Sequence, residues 1–264
     1  MPETASPAHE PQRAGPRRLA MPRRSSGRLA RLLYAGAVAA GLVLVVWIAI
    51  ASSQRAAMEE IRRAAEHRLA LHASSLEGML ERYRYLPHIV SSDQWVRRML
   101  EDPGNRLART QADLFLERLN AASQAAALYV MDRAGETLAS SNWRDAGSFV
   151  GRNFAYRPYF RDALAGAEGR FYGIGTTSGR AGYYLSVPIV LDEATAGVAV
   201  AKVDLQQLES AWAAADSITL AVDPQGVVFL ASRPELRYSS LEPLAPAALE
   251  RIRETRQYES APLA

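Results

Sequence analysis

The distribution of apolar and polar positions divides this chain into distinct regimes. Residues 32–51 read LLYAGAVAAGLVLVVWIAIA, twenty consecutive positions without a charge. At about 1.5 Å of rise per residue, such a run crosses a bilayer core of ~30 Å as one helix. From Ser53 to Tyr85 the period becomes helical. Ile61, Ala65, Leu69, Ala73, Leu76, Leu80 and Tyr83 recur at steps of three or four, while Glu59, Arg62, Arg63, Glu66, Arg68, Glu81 and Arg82 fill the other face. The spacing predicts an amphipathic helix of roughly 30 residues, about 45 Å long, continuing out of the apolar run. Such a helix can transmit a displacement, act as a rigid stalk, or pack on a domain or a dimer mate.

Pro87 interrupts that pattern. Residues 93–101 and 107–122 read as further helices, joined by the turn Pro103-Gly104-Asn105. From Ala126 the period is that of strands. Residues 128–131 and 136–139 form a predicted hairpin around Asp132-Arg133-Ala134-Gly135. Further strands are expected at 170–176, 182–190 and 197–205. Between them, 142–166 reads as a long loop with a short helix, started by Pro158 and ended by Gly166. The hairpin then has an echo: residues 219–232 repeat an apolar run, Asp-x-x-Gly, a second apolar run and Ser, with Asp223 and Gly226 each 91 residues beyond Asp132 and Gly135. A period of this length indicates two copies of one domain. The second copy contains a predicted helix at 245–256 and a strand starting near Tyr258. The chain ends before a second sheet could close, which predicts a fragment or truncated product.

Charge places the apolar run in a membrane. Arg13, Arg17, Arg18, Arg23, Arg24, Arg28 and Arg31 precede it, opposed only by Glu3 and Glu10. The formal charge of +3 therefore reports this tail and does not indicate nucleic-acid binding. The bias of basic residues toward the cytoplasmic side puts the N-terminus inside and the rest outside. A cleaved signal peptide is the rival, since Ala49-Ile50-Ala51 fits a small-x-small site. The apolar run exceeds the roughly 7–15 residues of a signal core, which favours an anchor. There are no cysteines, which excludes disulfides, thiolate metal sites and a cysteine nucleophile. No phosphate-loop, zincin, nucleophile-elbow or dinucleotide-binding motif is present. The four histidines, His9, His67, His72 and His88, lack metal-ligand spacing. No catalytic residues, metal or cofactor are expected.

Recognition chemistry concentrates in 142–204. Arg157 can grip a carboxylate with a planar fork, and Lys202, the only lysine among 31 basic residues, supplies a second compact charge. Glycines and hydroxyls at 175–179 can close over a small polar ligand. A buried pair of cations is costly unless an anion neutralises it, and one small dianion could satisfy both. The alternative is internal pairing of Arg157 with Asp162 or Glu168, and of Lys202 with Asp204.

At these residues the chain resembles the double-Cache sensor region of four-carbon-dicarboxylate sensor histidine kinases, the DctB type. The resemblance is carried by SNW at 141–143, SFVGRN at 148–153, RPYF at 157–160, GTTSG at 175–179, GYYLS at 182–186 and KVD at 202–204, with ERYRYLP at 81–87. It implies an α+β fold: a transmembrane helix and long N-terminal helix, then tandem PAS-like modules, the second incomplete. The implied division is a disordered basic tail at 1–31, a transmembrane helix at 32–51 and a helical lead-in at 52–122. A membrane-distal ligand-binding module at 123–207 and a membrane-proximal relay at 208–264 follow. Carried over by position, Arg157 and Lys202 would meet the two carboxylates of succinate, fumarate or malate. Thr176 and Ser178 would supply hydroxyls, with Tyr159 and Tyr184 as further pocket residues. Phe154 stands where the family more often has tyrosine, which would remove one hydrogen bond. The resemblance also implies a homodimer, and a kinase region with a cognate response regulator beyond residue 264. The alternatives are a chemoreceptor or cyclic-nucleotide enzyme carrying the same sensor, and an enzyme on this fold.

Overall fold

The computed structural model describes residues 26–215, 217–259, 261 and 263. The chain divides into one unit up to Ala64 and a second from Ala65 onward. Helix α1 (Ser26–Arg84) supplies the described part of the first unit. Its side chains from residue 29 to residue 50 are all exposed, among them Leu33, Val43 and Trp47. A helix apolar all round needs apolar surroundings, and this one is long and apolar enough to cross a membrane. Helix begins at Ser26, so residues 26–31 are not the disordered tail expected of 1–31; the rest of that tail lies outside the described residues.

In the second unit, Tyr85 and Pro87 end α1 and start α2 (Leu86–Ser92), a helix that the reading of Pro87 as a simple interruption omits. Helix α3 (Gln94–Glu101) is capped by Asp93, whose carboxylate accepts from the amides of Trp95 and Val96 at 2.8 and 3.1 Å. Helix α4 (Arg106–Ser123) is capped by Asn105, which accepts from the Ala108 amide at 3.0 Å. Each cap satisfies amides that the first helical turn leaves unpaired.

Five strands follow: β1 (Ala127–Asp132), β2 (Thr137–Ser140), β3 (Gly169–Ile174), β4 (Ala181–Leu191) and β5 (Ala194–Val203). They form one antiparallel sheet in the order β2-β1-β5-β4-β3. Strand alternation sorts its residues onto two faces. Leu128, Val130, Ala199, Ala201 and Val203 face the core shared with α2, α3 and α4. Tyr129, Met131, Val198, Val200, Phe171 and Tyr184 face the other side, where α5 (Pro158–Leu164) covers them with Tyr159, Phe160 and Ala163. Lys202 is opposite Ala127 on one neighbouring strand and Tyr184 on the other, so its alternation puts it on the α5 face.

Helix α6 (Gln206–Ala213) leads to the smaller sheet of β6 (Leu220–Val222) and β7 (Val228–Ala231), and then to α7 (Pro246–Thr255). The two hairpins share one turn geometry. Asp132 accepts from the amides of Ala134 and Glu136, and Asp223 from those of Gln225 and Val227, with Gly135 and Gly226 at φ of +83° and +90°. Tyr258 does not open a strand. Residues 256–259 turn after Arg256 caps α7 in the left-handed region, and this lays the Gln257 carbonyl on the Ile174 amide at the end of β3.

Helix α4 carries a buried acid. Asp113 accepts from the Ser140 amide at 2.9 Å, and burial pushes its carboxyl up to about 6 against the pull of that amide and of Arg109. Its proton is held more tightly in the folded chain than at the ordinary value of 3.8, so this group's contribution is fullest below about pH 4 and is lost as the pH rises through about 6. Asp113→Asn keeps an acceptor for Ser140 without the charge. At pH 7 it is expected to stabilise by about 1 kcal/mol, roughly 2–4 °C in Tm, with the gain shrinking toward pH 4. Thermal unfolding at the two pH values checks this, and a lower Tm at pH 7 would contradict it.

Candidate ligand-binding site

The α5 face encloses a small cavity lined by Tyr129, Phe149, Phe154 and Arg157, and by Tyr159, Thr176 and Tyr184. Its volume is about 10 Å³, room for roughly one water molecule. The aromatic wall is continuous. Tyr159 stacks on Tyr184 with centroids 5.0 Å apart and planes at 4°, and the Tyr129 and Tyr159 hydroxyls are 2.7 Å apart. Burial raises both of these tyrosines above their ordinary range and takes Tyr184 up to about 12, so all three stay neutral hydrogen-bonding groups.

Arg157 caps α5 and is 2% exposed. Pro158 at the first helical position fixes the entry angle of the chain and so aims Arg157 inward. Its Nη2 donates to the Ile174 carbonyl at 2.7 Å, and its Nη1 donates to the carbonyls of Thr255 and Arg256, both at 3.2 Å. Neither expected internal pairing forms. Asp162 is exposed, and Glu168 is engaged by Arg84 at 3.1 Å and His88 at 3.3 Å. Among the described residues no acid forms an ion pair with Arg157.

Lys202 is 4% exposed, and its ammonium donates to Ser178 Oγ and to the Arg180 carbonyl, each at 3.0 Å. Burial lowers it to about 8, Arg157 and Arg180 push the same way, and the charge of Asp204 opposes them. Asp204 does not pair with it directly; its carboxylate accepts from the Gln206 amide at 2.8 Å, at the start of α6.

The structure therefore places Arg157, Tyr159, Thr176 and Tyr184 on one cavity, with Ser178 and Lys202 joined to each other beside it. Gly175 is the partition. A methyl there would lie 2.7 Å from Ser178 Oγ, 3.0 Å from Lys202 Nζ and 3.2 Å from Tyr184 Oη. Gly173 and Gly182 serve the same end. A methyl on Gly173 would meet Arg157 Nη1 at 3.1 Å, and one on Gly182 would meet Lys202 Cγ at 3.0 Å. Strand glycines thus make the space in which two cationic side chains lie against the sheet. Beyond the partition, Ser178 and Lys202 also line an open groove of about 890 Å³ with Asn142, Arg180 and Asp204. Tyr129, in an apolar strand run, and Phe149, inside the SFVGRN motif, give no sign in the sequence that they line the cavity. Phe154 lines the cavity beside both, with ring centroids 5.9 and 6.0 Å from theirs.

A five-stranded antiparallel sheet with helices on one face and a polar–aromatic cavity on the other, following a long N-terminal helix, is the architecture of PAS/Cache-like sensor domains. Within that class the chain belongs to the DctB family of sensor proteins. It is 35% identical over 211 residues to the C4-dicarboxylate transport sensor protein DctB of Pseudomonas aeruginosa, a match covering 80% of this chain and 34% of that protein. To DctB of Rhizobium meliloti it is 35% identical over 194 residues, covering 74% of this chain and 31% of that one. The crystal structure of the V. cholerae histidine kinase DctB sensor domain matches at a TM-score of 0.72 and 36% identity, over 76% of this chain and 78% of the other. No family model matches the chain. The chain spans about a third of the length of the curated relatives. This kinship and the long apolar helix α1 fit an inner-membrane protein with a periplasmic sensor.

Proposed function

We propose that this chain is the anchored periplasmic sensor region of a two-component histidine kinase, and that it binds one small dicarboxylate such as succinate, fumarate or malate between Arg157 and Lys202. The observation that carries the reading is the pair of buried cations without an ion-paired acid among the described residues. Main-chain carbonyls and a hydroxyl solvate both charges but leave them unneutralised, and a dianion removes that penalty at both ends. One carboxylate meets the Arg157 fork, the other meets Lys202, and Thr176 and Ser178 add hydroxyl donors. Entry requires the turn at 175–180 to move, exchanging the Lys202–Ser178 contact for one with ligand and joining the small cavity to the groove. The N-terminus is cytoplasmic, the sensor works as a homodimer, and the ligand regulates transport of its own class through a kinase region and a response regulator. Binding moves the signalling equilibrium only by its differential affinity for the two states.

The test is calorimetric titration of the full chain in detergent micelles. Succinate, fumarate or malate is expected to bind at one site per chain, and butyrate, which lacks the second carboxylate, about 100-fold more weakly. Equal affinity for butyrate and succinate would contradict the two-cation site.

The lowered lysine adds a pH signature. Free Lys202 loses its proton above about pH 8, and a bound dianion holds that proton on. Succinate affinity is therefore expected to be level from pH 6.5 to 7.5 and to fall by about tenfold per pH unit above 8, with proton uptake on binding. Titrations in buffers of different ionisation enthalpy measure the uptake. Lys202→Met should bind more weakly and lose the dependence; a wild-type affinity constant within twofold up to pH 9.5 would contradict the role of Lys202.

A further inference from the structure

The last turn of α7 reaches Arg157 from a distant part of the chain. The C-terminal end of a helix presents carbonyls that lack intrahelical partners and carry partial negative charge. Here two of them, from Thr255 and Arg256, accept from Arg157 Nη1. A second link runs through Tyr156. Two guanidinium groups lie over its ring, with the Arg157 and Arg256 Cζ atoms 5.2 and 4.8 Å from its centroid, and its hydroxyl is 2.9 Å from Thr176 Oγ1. A third link is main-chain: the Ile174 amide donates to the Gln257 carbonyl at 2.8 Å, and Gln257 Nε2 donates to the Tyr172 carbonyl at 3.1 Å. Gln257 and Tyr258 then hold Asp223, the turn residue of the β6–β7 hairpin, at 3.3 and 2.8 Å.

A guanidinium carries five N–H donors. Arg157 uses Nη1 on α7 and one Nη2 hydrogen on Ile174, which leaves Nε and the other Nη2 hydrogen for a carboxylate. Helix α7 and ligand therefore do not compete for the same donors. The turn orients the fork, and a bound carboxylate neutralises the charge that carbonyls alone must otherwise hold.

We propose that residues 255–257 buttress the binding site from behind Arg157, and that ligand binding and docking of this turn on β3 favour each other through Arg157 and Tyr156. The inference rests on the dicarboxylate reading above and adds an exit route for the signal: from the pocket to α7 and the β6–β7 hairpin, besides any route through α1. Coupling of this kind is reciprocal, so whatever factor succinate contributes to docking, docking contributes to succinate affinity.

Amide hydrogen exchange on the full chain in micelles, with and without saturating succinate, tests it without any substitution. Exchange at 252–257, where no residue is a proposed ligand contact, is expected to slow about fivefold together with the turn at 175–180. Slowing at 175–180 with 252–257 unchanged overturns the coupling and leaves the ligand assignment standing. No slowing anywhere, with no heat of binding, overturns the ligand assignment and the coupling with it. A variant gives the reciprocal reading. Arg256→Gly suits the residue's φ of +49° while removing its guanidinium from Tyr156. It is expected to weaken succinate binding about fivefold, with Arg256→Lys restoring most of the loss. Affinity within twofold of wild type in Arg256→Gly contradicts the proposal.

Discussion

Arg157→Ala is expected to lower succinate affinity at least 100-fold. Hydrogen bonds to charged groups contribute about 1.5–3 kcal/mol each, and a fork that engages a carboxylate through two of them exceeds the ~2.7 kcal/mol that 100-fold represents. The substitution also leaves the carbonyls of Ile174, Thr255 and Arg256 without their donor, a cost of about 1–3 kcal/mol for each group that water cannot reach. Removing an unneutralised buried charge offsets part of this, so the chain should remain folded with a lower Tm. Arg157→Lys separates charge from geometry. It keeps one positive group, loses the planar fork and should fall between wild type and Arg157→Ala. Titration calorimetry with parallel thermal unfolding checks both variants. Affinity within threefold of wild type in a folded Arg157→Ala would remove Arg157 from the site.

The largest effect on stability is expected from Gly169→Ala, at the start of β3. A methyl there collides with the Tyr159 carbonyl and with Ser186 Oγ, and would lie 2.8 Å from Tyr159 Cα. Those groups are themselves joined, Ser186 donating to the Tyr159 carbonyl at 2.7 Å. The backbone of α5 therefore rests directly on β3, and this contact holds Arg157 and Tyr159 over the sheet. Overpacking costs about 1–3 kcal/mol, and loss of the buried Ser186 bond about 1 more. The expected result is a destabilisation of roughly 3 kcal/mol, a fall in Tm of about 6–12 °C. Gly147, where an added methyl meets nothing within 4 Å, is the control, and Gly147→Ala should leave Tm within about 2 °C. Equal unfolding temperatures for Gly169→Ala and wild type would show that α5 can lift off the sheet, leaving Arg157 less firmly placed than the geometry implies.

Where a local rule governs an element, the sequence shows it. Helices α3 and α4 begin beside Asp93 and Asn105, α5 begins at Pro158, and the two Asp-x-x-Gly hairpins match in their hydrogen bonds. The turn between β4 and β5 was not legible. It is made by Asp192 and Glu193, both at positive φ, without the Asn or Gly that usually marks such a turn. Strand β5 accordingly starts at Ala194, ahead of the expected 197. The strand expected near Tyr258 failed for another reason: its alternation belongs to a turn whose partner is β3, where Tyr172, 85 residues before Gln257, accepts from the Gln257 side chain. Of the site, the two cations and the glycine-rich turn stood out by residue type and motif. Tyr129 and the end of α7 did not, and Phe149, though inside the SFVGRN motif, carried no sign of lining the cavity, because only the folded sheet and the turn after α7 bring them to Arg157.

The most direct test of the site is a crystal structure of the sensor with succinate. One carboxylate is expected within hydrogen-bonding distance of Arg157, the other within that distance of Lys202 Nζ, with Thr176 or Ser178 on the ligand and the turn at 175–180 closed over it. Succinate bound away from both cations, with Lys202 still on Ser178 and Arg157 still without an anion, would contradict the account.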